Sequence, residues 1–216
     1  MSLKAEIEEF RSSRVKEIPN EVKNIKESNS KELKESTILE GAPQVGSKLI
    51  NFNLKNHLGE SISLNSLIKD GPVVVTFYRG GWCPYCNLQL NSYQRILPQI
   101  KGLGATLVAI TPELPDSSLE TKERHDLEFE VLSDVESLYA KEIGVVFTVR
   151  KDLQELYAKF GHDLEKHNGK NQFDLPLAST FVVDTNGIIT YAFLDTDYIQ
   201  RAEPEVILNE LKALKK

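Results

Sequence analysis

The stretch Val73 to Ile100, VVVTFYRGGWCPYCNLQLNSYQRILPQI, constrains this chain more than any other. Val73 to Tyr78 is an almost continuous apolar run, the pattern of a strand buried on both faces. Gly80 and Gly81 then break the run. Cys86, Leu90, Tyr93, Leu97 and Ile100 follow at alternating four- and three-residue steps, the stripe of an amphipathic helix. The pattern predicts a strand, a tight turn and a helix. The only two cysteines of the chain, Cys83 and Cys86, fall at that turn, directly after its single tryptophan, Trp82.

Helix phase separates the two thiols. Cys86 begins the buried stripe, whereas Cys83 lies one turn earlier, with Pro84 in the first helical position, where a missing N–H is tolerated. Unsatisfied backbone N–H groups and the positive end of the helix dipole favour a thiolate there. Thiol pKa values in such Cys-x-x-Cys turns fall from about 8.5 to roughly 3.5–7.5. Arg79, four residues upstream, is placed to add positive charge. The expected division of labour is an exposed, attacking Cys83 and a buried Cys86 that resolves the product as an internal disulfide. Gly80 and Gly81 are expected to let the turn approach closely and to leave Cys83 uncovered. Gly81, Trp82, Pro84 and Tyr85 join Arg79 as candidate supporting or substrate-facing residues.

Two plainer readings compete. Paired cysteines can be inert core residues, but a strand-to-helix turn in a chain with no other cysteine argues for chemistry. A zinc site joining Cys83 and Cys86 to His162 and His167 lacks a second tight ligand pair. All four histidines, His57 and His125 included, lie in polar contexts and read as solvated.

The chain has 216 residues, enough for one core and an appendage. Its net charge of −6 gives no footprint for nucleic acid. No apolar run approaches the roughly 20 residues that cross a membrane. The start, MSLKAEIEEF, is charged from residue 4 and lacks the apolar core of a secretory signal. Cysteines three positions apart cannot staple a secreted fold. A cytoplasmic protein without metal or cofactor is the expectation.

Residues 1–40 read as a charged helical arm, with eight Lys/Arg and nine Asp/Glu. Leu3, Ile7, Phe10, Ile18, Val22 and Ile25 form its thin apolar stripe, and Pro19 is expected to open a second helix. Residues 41–216 form the main domain. Leu49–Leu54 and Ser61–Leu64 suggest a hairpin, and Asn65 a cap for a short helix over Ser66–Lys69. After the cysteine helix, strands are expected at Ala105–Ile110 and Phe129–Leu132. Helices are expected at Ser117–Asp126 and at Val135–Ile143, the latter capped by Asp134. Residues 145–178 read as an excursion with a helix from Leu153 to Phe160. Thr180–Val183 and Ile188–Leu194 form a hairpin across Asn186-Gly187, and Pro204–Leu214 a last helix. The fold class is α/β, a central mixed sheet flanked by helices.

Several segments carry a family resemblance: VGSKLINFNLKNHLGESISL, VVVTFYRGGWCPYC, LGATLVAITPE, LEFEVLSDVESLYAKEIGV and STFVVDTNGIITYAFLD. Through them residues 43–212 resemble the peroxiredoxin branch of the thioredoxin-fold superfamily, the alkyl hydroperoxide reductase/thiol-specific antioxidant group. FYRGGWCPYC together with DTDYIQRAEPE resembles its members with a Trp-Cys-Pro-Tyr-Cys site. The resemblance implies a thioredoxin-like fold and cysteine-based redox chemistry without metal or flavin. It also implies a hydroperoxide substrate, regeneration by a thioredoxin- or glutaredoxin-like thiol, and often a homodimer.

This chain departs from the typical pattern. The Pro-x-x-x-Thr/Ser that precedes the attacking cysteine in typical members is absent, since the positions counted back from Cys83 are Thr76 and Gly80. The arginine such members carry before the late strand falls on Ala178. Arg79 and Arg201 are the candidate substitutes, with Arg201 equally suited to a salt bridge with Glu203 or Glu205. Three readings therefore stand: a thiol peroxidase, a thiol–disulfide oxidoreductase of thioredoxin or glutaredoxin type, and a non-enzymatic redox sensor.

Overall fold

The computed structural model describes residues 1–14 and 19–215. Ile18 of the arm's apolar stripe lies outside them. Two helices, α1 (Leu3–Arg14) and α2 (Asn20–Glu35), precede the sheet. Then come β1 (Asn53–Asn56), β2 (Ser61–Ser63), α3 (Leu64–Leu67), β3 (Val73–Phe77), α4 (Pro84–Gly102) and β4 (Thr106–Thr111). Next are α5 (Pro115–Arg124), β5 (Glu130–Ser133), α6 (Leu138–Glu142), β6 (Val146–Thr148), α7 (Lys151–Lys159), α8 (Leu164–Asn168) and β7 (Asp174–Pro176). The chain closes with β8 (Ala178–Val183), β9 (Ile189–Asp195) and α9 (Pro204–Leu214). No described helix is long and apolar enough to cross a membrane.

The main sheet has strand order β2-β1-β5-β4-β3-β8-β9. β3, β4 and β5 are parallel neighbours, and β8 pairs antiparallel with β3, matching Val73 to Val183 and Phe77 to Ser179. Every residue of β3 is buried, as its almost continuous apolar run requires. Alternation along the strand then assigns the faces. Val73, Val75 and Phe77 pack with Phe52, Tyr139 and Ile143 on one side. Val74 faces Leu90, Tyr93, Leu97 and Ile100 of α4, together with Ile207 and Leu211 of α9, on the other. Each such fully buried side chain stabilises by about 1.5–3 kcal/mol, so β3 and α4 form the rigid frame on which the cysteine turn is mounted.

One polar network crosses that apolar layer. Gln89 of α4 donates to Thr76 Oγ1 and to Tyr93 Oη, both at 3.1 Å, and Thr76 and Thr180 share a 2.9 Å hydrogen bond between β3 and β8. Tyr93 Oη donates to the Ala202 carbonyl at 3.1 Å. It thereby ties α4 to the loop that follows β9.

Local chemistry shifts three expected elements. The short helix starts at Leu64, because the Ser63 hydroxyl rather than Asn65 caps it, accepting from Ser66 N–H at 3.1 Å. The expected helix over Val135–Ile143 is broken: Glu136 and Ser137 take left-handed conformations, and α6 begins only at Leu138. Asp134 still anchors it, accepting from Tyr139 N–H and Ala140 N–H at 2.9 Å. Pro19 stands just ahead of the first residue of α2 rather than within it. The excursion folds into the β6–β7 pair with α7 and α8, and Val149, Leu153, Leu156 and Tyr157 form a separate core with Val22 of α2.

The first helix lies against α4, with Leu3 and Ile7 buried. Its free N-terminal Leu3 and Lys4 N–H groups donate to the Glu203 carboxylate at 3.1 and 2.7 Å, a negative charge set on the positive helix end. Glu6 pairs with Arg95 of α4 at 2.5 Å. The second helix packs on α7, where Arg150 bonds Glu32 at 2.8 Å and Ser28 at 3.1 Å.

Candidate active site

The turn between β3 and α4 is built as the sequence suggests. Cys83 stands at the N-cap position of α4, Pro84 is its first residue, and the Cys83 carbonyl accepts the first helical bond from Asn87 N–H. The glycines serve close approach. A Cβ on Gly81 would lie 2.0 Å from Thr121 Oγ1, and one on Gly80, whose φ is +147°, 2.2 Å from Trp82 Nε1. Both Glu113 carboxylate oxygens accept from Gly81 N–H at 3.1 Å, and Asn87 Nδ2 donates to the Gly81 carbonyl at 2.9 Å. The turn is therefore clamped from the segment after β4 and from its own helix.

Contrary to the expectation of an uncovered thiol, Cys83 is fully buried, at 0% exposure, and Cys86 is 1% exposed. The cover is aromatic. Tyr85 meets Phe10 of α1 edge-on at 5.5 Å and Tyr198 at 5.6 Å, and the Arg79 guanidinium lies 4.5 Å over Tyr198 and 5.2 Å over Trp82. Tyr85 is thus neither freely exposed nor in the core, but a half-buried link between the first helix and the site. The uncovered-thiol expectation failed because residues remote in sequence close over a turn that would be open by itself.

Arg79 is buried and bridges the site, donating to Cys83 Sγ through Nη2 and to Tyr157 Oη through Nη1, each at 3.1 Å. Its Nε has no hydrogen-bond partner among the described residues. Arg201 is also buried, and a salt bridge to Glu203 or Glu205 is not what it makes. It donates to the Tyr198 carbonyl, to the Gln200 carbonyl at 2.7 Å and to Cys86 Sγ at 3.5 Å. A guanidinium from the loop after β9 thus reaches the dithiol, although Ala178 occupies the position expected to carry it.

No disulfide joins Cys83 and Cys86 in this structure. Burial pushes the Cys83 pKa up. Hydrogen bonding from Cys86 and the charges of Arg79 and Arg201 outweigh burial and hold it well below the ordinary thiol range. Burial, with the hydrogen bond to Cys83 and the negative charge there, pushes Cys86 well above that range. The two thiols are thus shifted in opposite directions at one helix N-terminus, Cys83 toward the thiolate and Cys86 toward the neutral thiol.

Above Arg79 lies a narrow cavity of about 10 Å³, bounded by Lys26 and Asn29 of α2 and by Arg79, Tyr157, Thr196 and Tyr198. The rest of its wall is apolar. Tyr157 comes from the excursion, which accordingly walls the site. Two histidines are likewise more than surface residues: His162 packs on Trp82 at 5.5 Å, and His167 Nδ1 is 3.5 Å from Glu113. Among the described residues, no group of three or more His, Cys, Asp or Glu could hold a metal ion. Arg201, Tyr157, Tyr198 and Glu113 all reach the site from segments distant in sequence, and the only advance signal was the unplaced Arg201.

A parallel β–α–β core extended by an antiparallel hairpin, with a dithiol at the N-terminus of the helix after the central strand, is a thioredoxin-like fold carrying a cysteine redox centre. Residues 45–192 match the AhpC/TSA family, and the chain belongs to that family. It is 31% identical over 153 residues to peroxiredoxin Q, chloroplastic, of Oryza sativa subsp. japonica, covering 71% of this chain and 60% of that protein. It is 30% identical over 159 residues to the Sedum lineare peroxiredoxin Q, chloroplastic, covering 74% and 70%. The chain thus spans about 60% of the length of the rice relative. The crystal structure of peroxidoxin BcpB from Mycobacterium tuberculosis superposes with a TM-score of 0.63 over 81% of this chain and 99% of that one. At 20% identity that likeness speaks for the fold.

Proposed function

We propose that this chain is a cysteine-based thiol peroxidase that reduces hydroperoxides through Cys83, with Cys86 as the resolving cysteine. The observation that carries the reading is the 3.1 Å contact between the Arg79 guanidinium and Cys83 Sγ, with Arg79 also bordering a small cavity. The Cys83 thiolate attacks one oxygen of the hydroperoxide, an S–O bond forms and the O–O bond breaks, and the leaving alkoxide takes a proton to depart as an alcohol. Cys83 is then a sulfenic acid. The Cys86 sulfur attacks Cys83 Sγ, an S–S bond forms, and the hydroxyl leaves with the Cys86 proton as water. Arg79 and Arg201 supply fixed positive charge to the anions on this path. Trp82, Pro84 and Gly81 shape the turn, and Tyr85 covers it.

The relatives' names point the same way, since they are peroxiredoxins. Burial bears on the alternative. Cys83 is fully covered, and a protein disulfide needs a far wider opening of the aromatic cover than a peroxide does. The same opening is required for the reductant, for which a thioredoxin- or glutaredoxin-like dithiol is proposed, and a homodimer is the assembly proposed from the family resemblance. Residues 1–40 act in this reading as an arm packed on the unit 41–216. The test is peroxide consumption, with a coupled dithiol, by the wild type, Cys83→Ser and Cys86→Ser. Turnover lost in Cys83→Ser and reduced to one equivalent in Cys86→Ser is expected. A wild type no faster than free thiol refutes the reading.

A further inference from the structure

The cavity above Arg79 is made jointly by the matched fold and by a helix that precedes it. Lys26 and Asn29 are one turn apart on α2, share a face, and both border the cavity. Their helix lies wholly before residue 45, where the family match begins. The charge pattern is lopsided. In a chain of net charge −6, the cavity wall holds two cations, three hydroxyl groups and an amide, and no carboxylate. Two adjacent cations without an acid favour an oxygen-rich or anionic guest. Arg79, on the same wall, keeps a buried Nε without a partner among the described residues, so its Nε–H is unspent after the bonds to Cys83 and Tyr157.

Size narrows the guest. About 10 Å³ is room for a single water-sized group. The terminal oxygen of a hydroperoxide fits, whereas a bulky alkyl or aryl body does not while α2 stays packed. Val22 buried against α7, and Arg150 bound to both Glu32 and Ser28, hold it there.

We propose that Lys26 and Asn29 complete a vestibule that admits hydrogen peroxide and the smallest alkyl hydroperoxides and holds their oxygens beside Arg79, making α2 the element that sets substrate size. Lys26 is a positioning residue for an incoming oxygen, and Asn29 part of the wall that excludes larger bodies. This inference rests on the thiol peroxidase reading, and its test separates the two.

The experiment compares wild type, Lys26→Met, Lys26→Arg and Asn29→Ala in rapid mixing with hydrogen peroxide and with cumene hydroperoxide. A second arm, free of peroxide, measures alkylation of Cys83 by anionic iodoacetate and by neutral iodoacetamide. Lys26→Met is expected to slow hydrogen peroxide about 10-fold, a loss of one modest interaction, and to lower the iodoacetate to iodoacetamide ratio several-fold. Lys26→Arg restores both, which excludes misfolding as the cause. Asn29→Ala raises the rate with cumene hydroperoxide relative to hydrogen peroxide. Equal effects of every variant on both peroxides, with an unchanged alkylation ratio, overturn the vestibule and leave the peroxidase reading intact. A wild type inert to both peroxides, whose alkylation ratio still falls in Lys26→Met, overturns the peroxidase reading instead and leaves Lys26 as an anion-steering residue.

Discussion

Arg79 Nη2 lies 3.1 Å from Cys83 Sγ, while Nη1 of the same guanidinium lies 3.1 Å from Tyr157 Oη. One side chain thus fixes the thiolate and ties it to α7, which is possible because guanidinium is a planar, multi-donor fork. Arg79→Met is expected to raise the Cys83 pKa and to slow Cys83 oxidation by peroxide about 10²-fold, the usual cost of removing one preorganised donor. Arg79→Lys recovers part of the loss, as a point charge that cannot serve both partners. Stopped-flow fluorescence of Trp82, the only tryptophan, 5.2 Å from the guanidinium, reads both.

The pH dependence follows from the opposed shifts of the two thiols. Cys83, held well below the ordinary thiol range, is expected to react with iodoacetamide at a rate limited by its cover, independent of pH near neutrality and falling only as pH drops through its lowered pKa. As an acid with a depressed folded pKa, it adds stability that is fully present above the unfolded thiol value of about 8.5 and is lost as pH falls toward the folded one. Cys86, raised by burial, is expected to stay unalkylated across that window. A rate that rises only near the ordinary thiol pKa contradicts this.

Glu113 makes a prediction of opposite sign. Burial raises its pKa from 4.5 to about 7, against the Gly81 N–H hydrogen bonds that lower it. The folded state then holds a proton that the unfolded state has lost between those pH values, so stability falls as pH rises through that window. The difference corresponds to about 3 kcal/mol at one pKa unit per 1.36 kcal/mol. Glu113→Gln cannot titrate, and its stability relative to wild type is expected to improve from pH 4 to pH 8. Urea unfolding at several pH values measures it, and a constant difference between the two proteins would sink this assignment.

Tyr93 joins the cysteine helix to the loop bearing Arg201, because its hydroxyl donates to the Ala202 carbonyl. Tyr93→Phe leaves that buried acceptor, and Gln89, each short of a partner. The expected cost is about 1–2 kcal/mol of stability, with slower disulfide closure as Arg201 loosens beside Cys86. Quench-flow trapping of the sulfenic acid checks the closure rate.

What was legible in the sequence is what is local or periodic. The run Val73–Phe77 and the stripe from Cys86 to Ile100 each declare their element within one window, and Arg79 was found because it shares the turn with Cys83. The Asp184–Gly187 turn was equally plain, since Asp184 accepts from Asn186 N–H and Ile188 N–H at 2.8 Å. The failures have a common cause in long-range contact. Arg201 reaches Cys86, Tyr157 and Tyr198 reach Arg79, and Glu113 reaches Gly81 across tens of residues, which no periodicity encodes, and long-range packing buries a cysteine that its own turn leaves open. The helix over Val135–Ile143 failed differently: Ser137 takes a left-handed conformation and is buried against the β7 segment, with its hydroxyl directed to the Asp174 carbonyl, so tertiary packing overrides local preference.

The most direct measurement of the central claim is the intact mass of wild type, Cys86→Ser and Cys83→Ser after rapid mixing with one equivalent of hydrogen peroxide. The account predicts that the wild type loses two hydrogens as the Cys83–Cys86 disulfide forms, that Cys86→Ser gains one oxygen on Cys83, and that Cys83→Ser is unchanged on the same timescale. Oxidation of Cys83→Ser at the wild-type rate, or a Cys86→Ser protein that gains no oxygen, would contradict it.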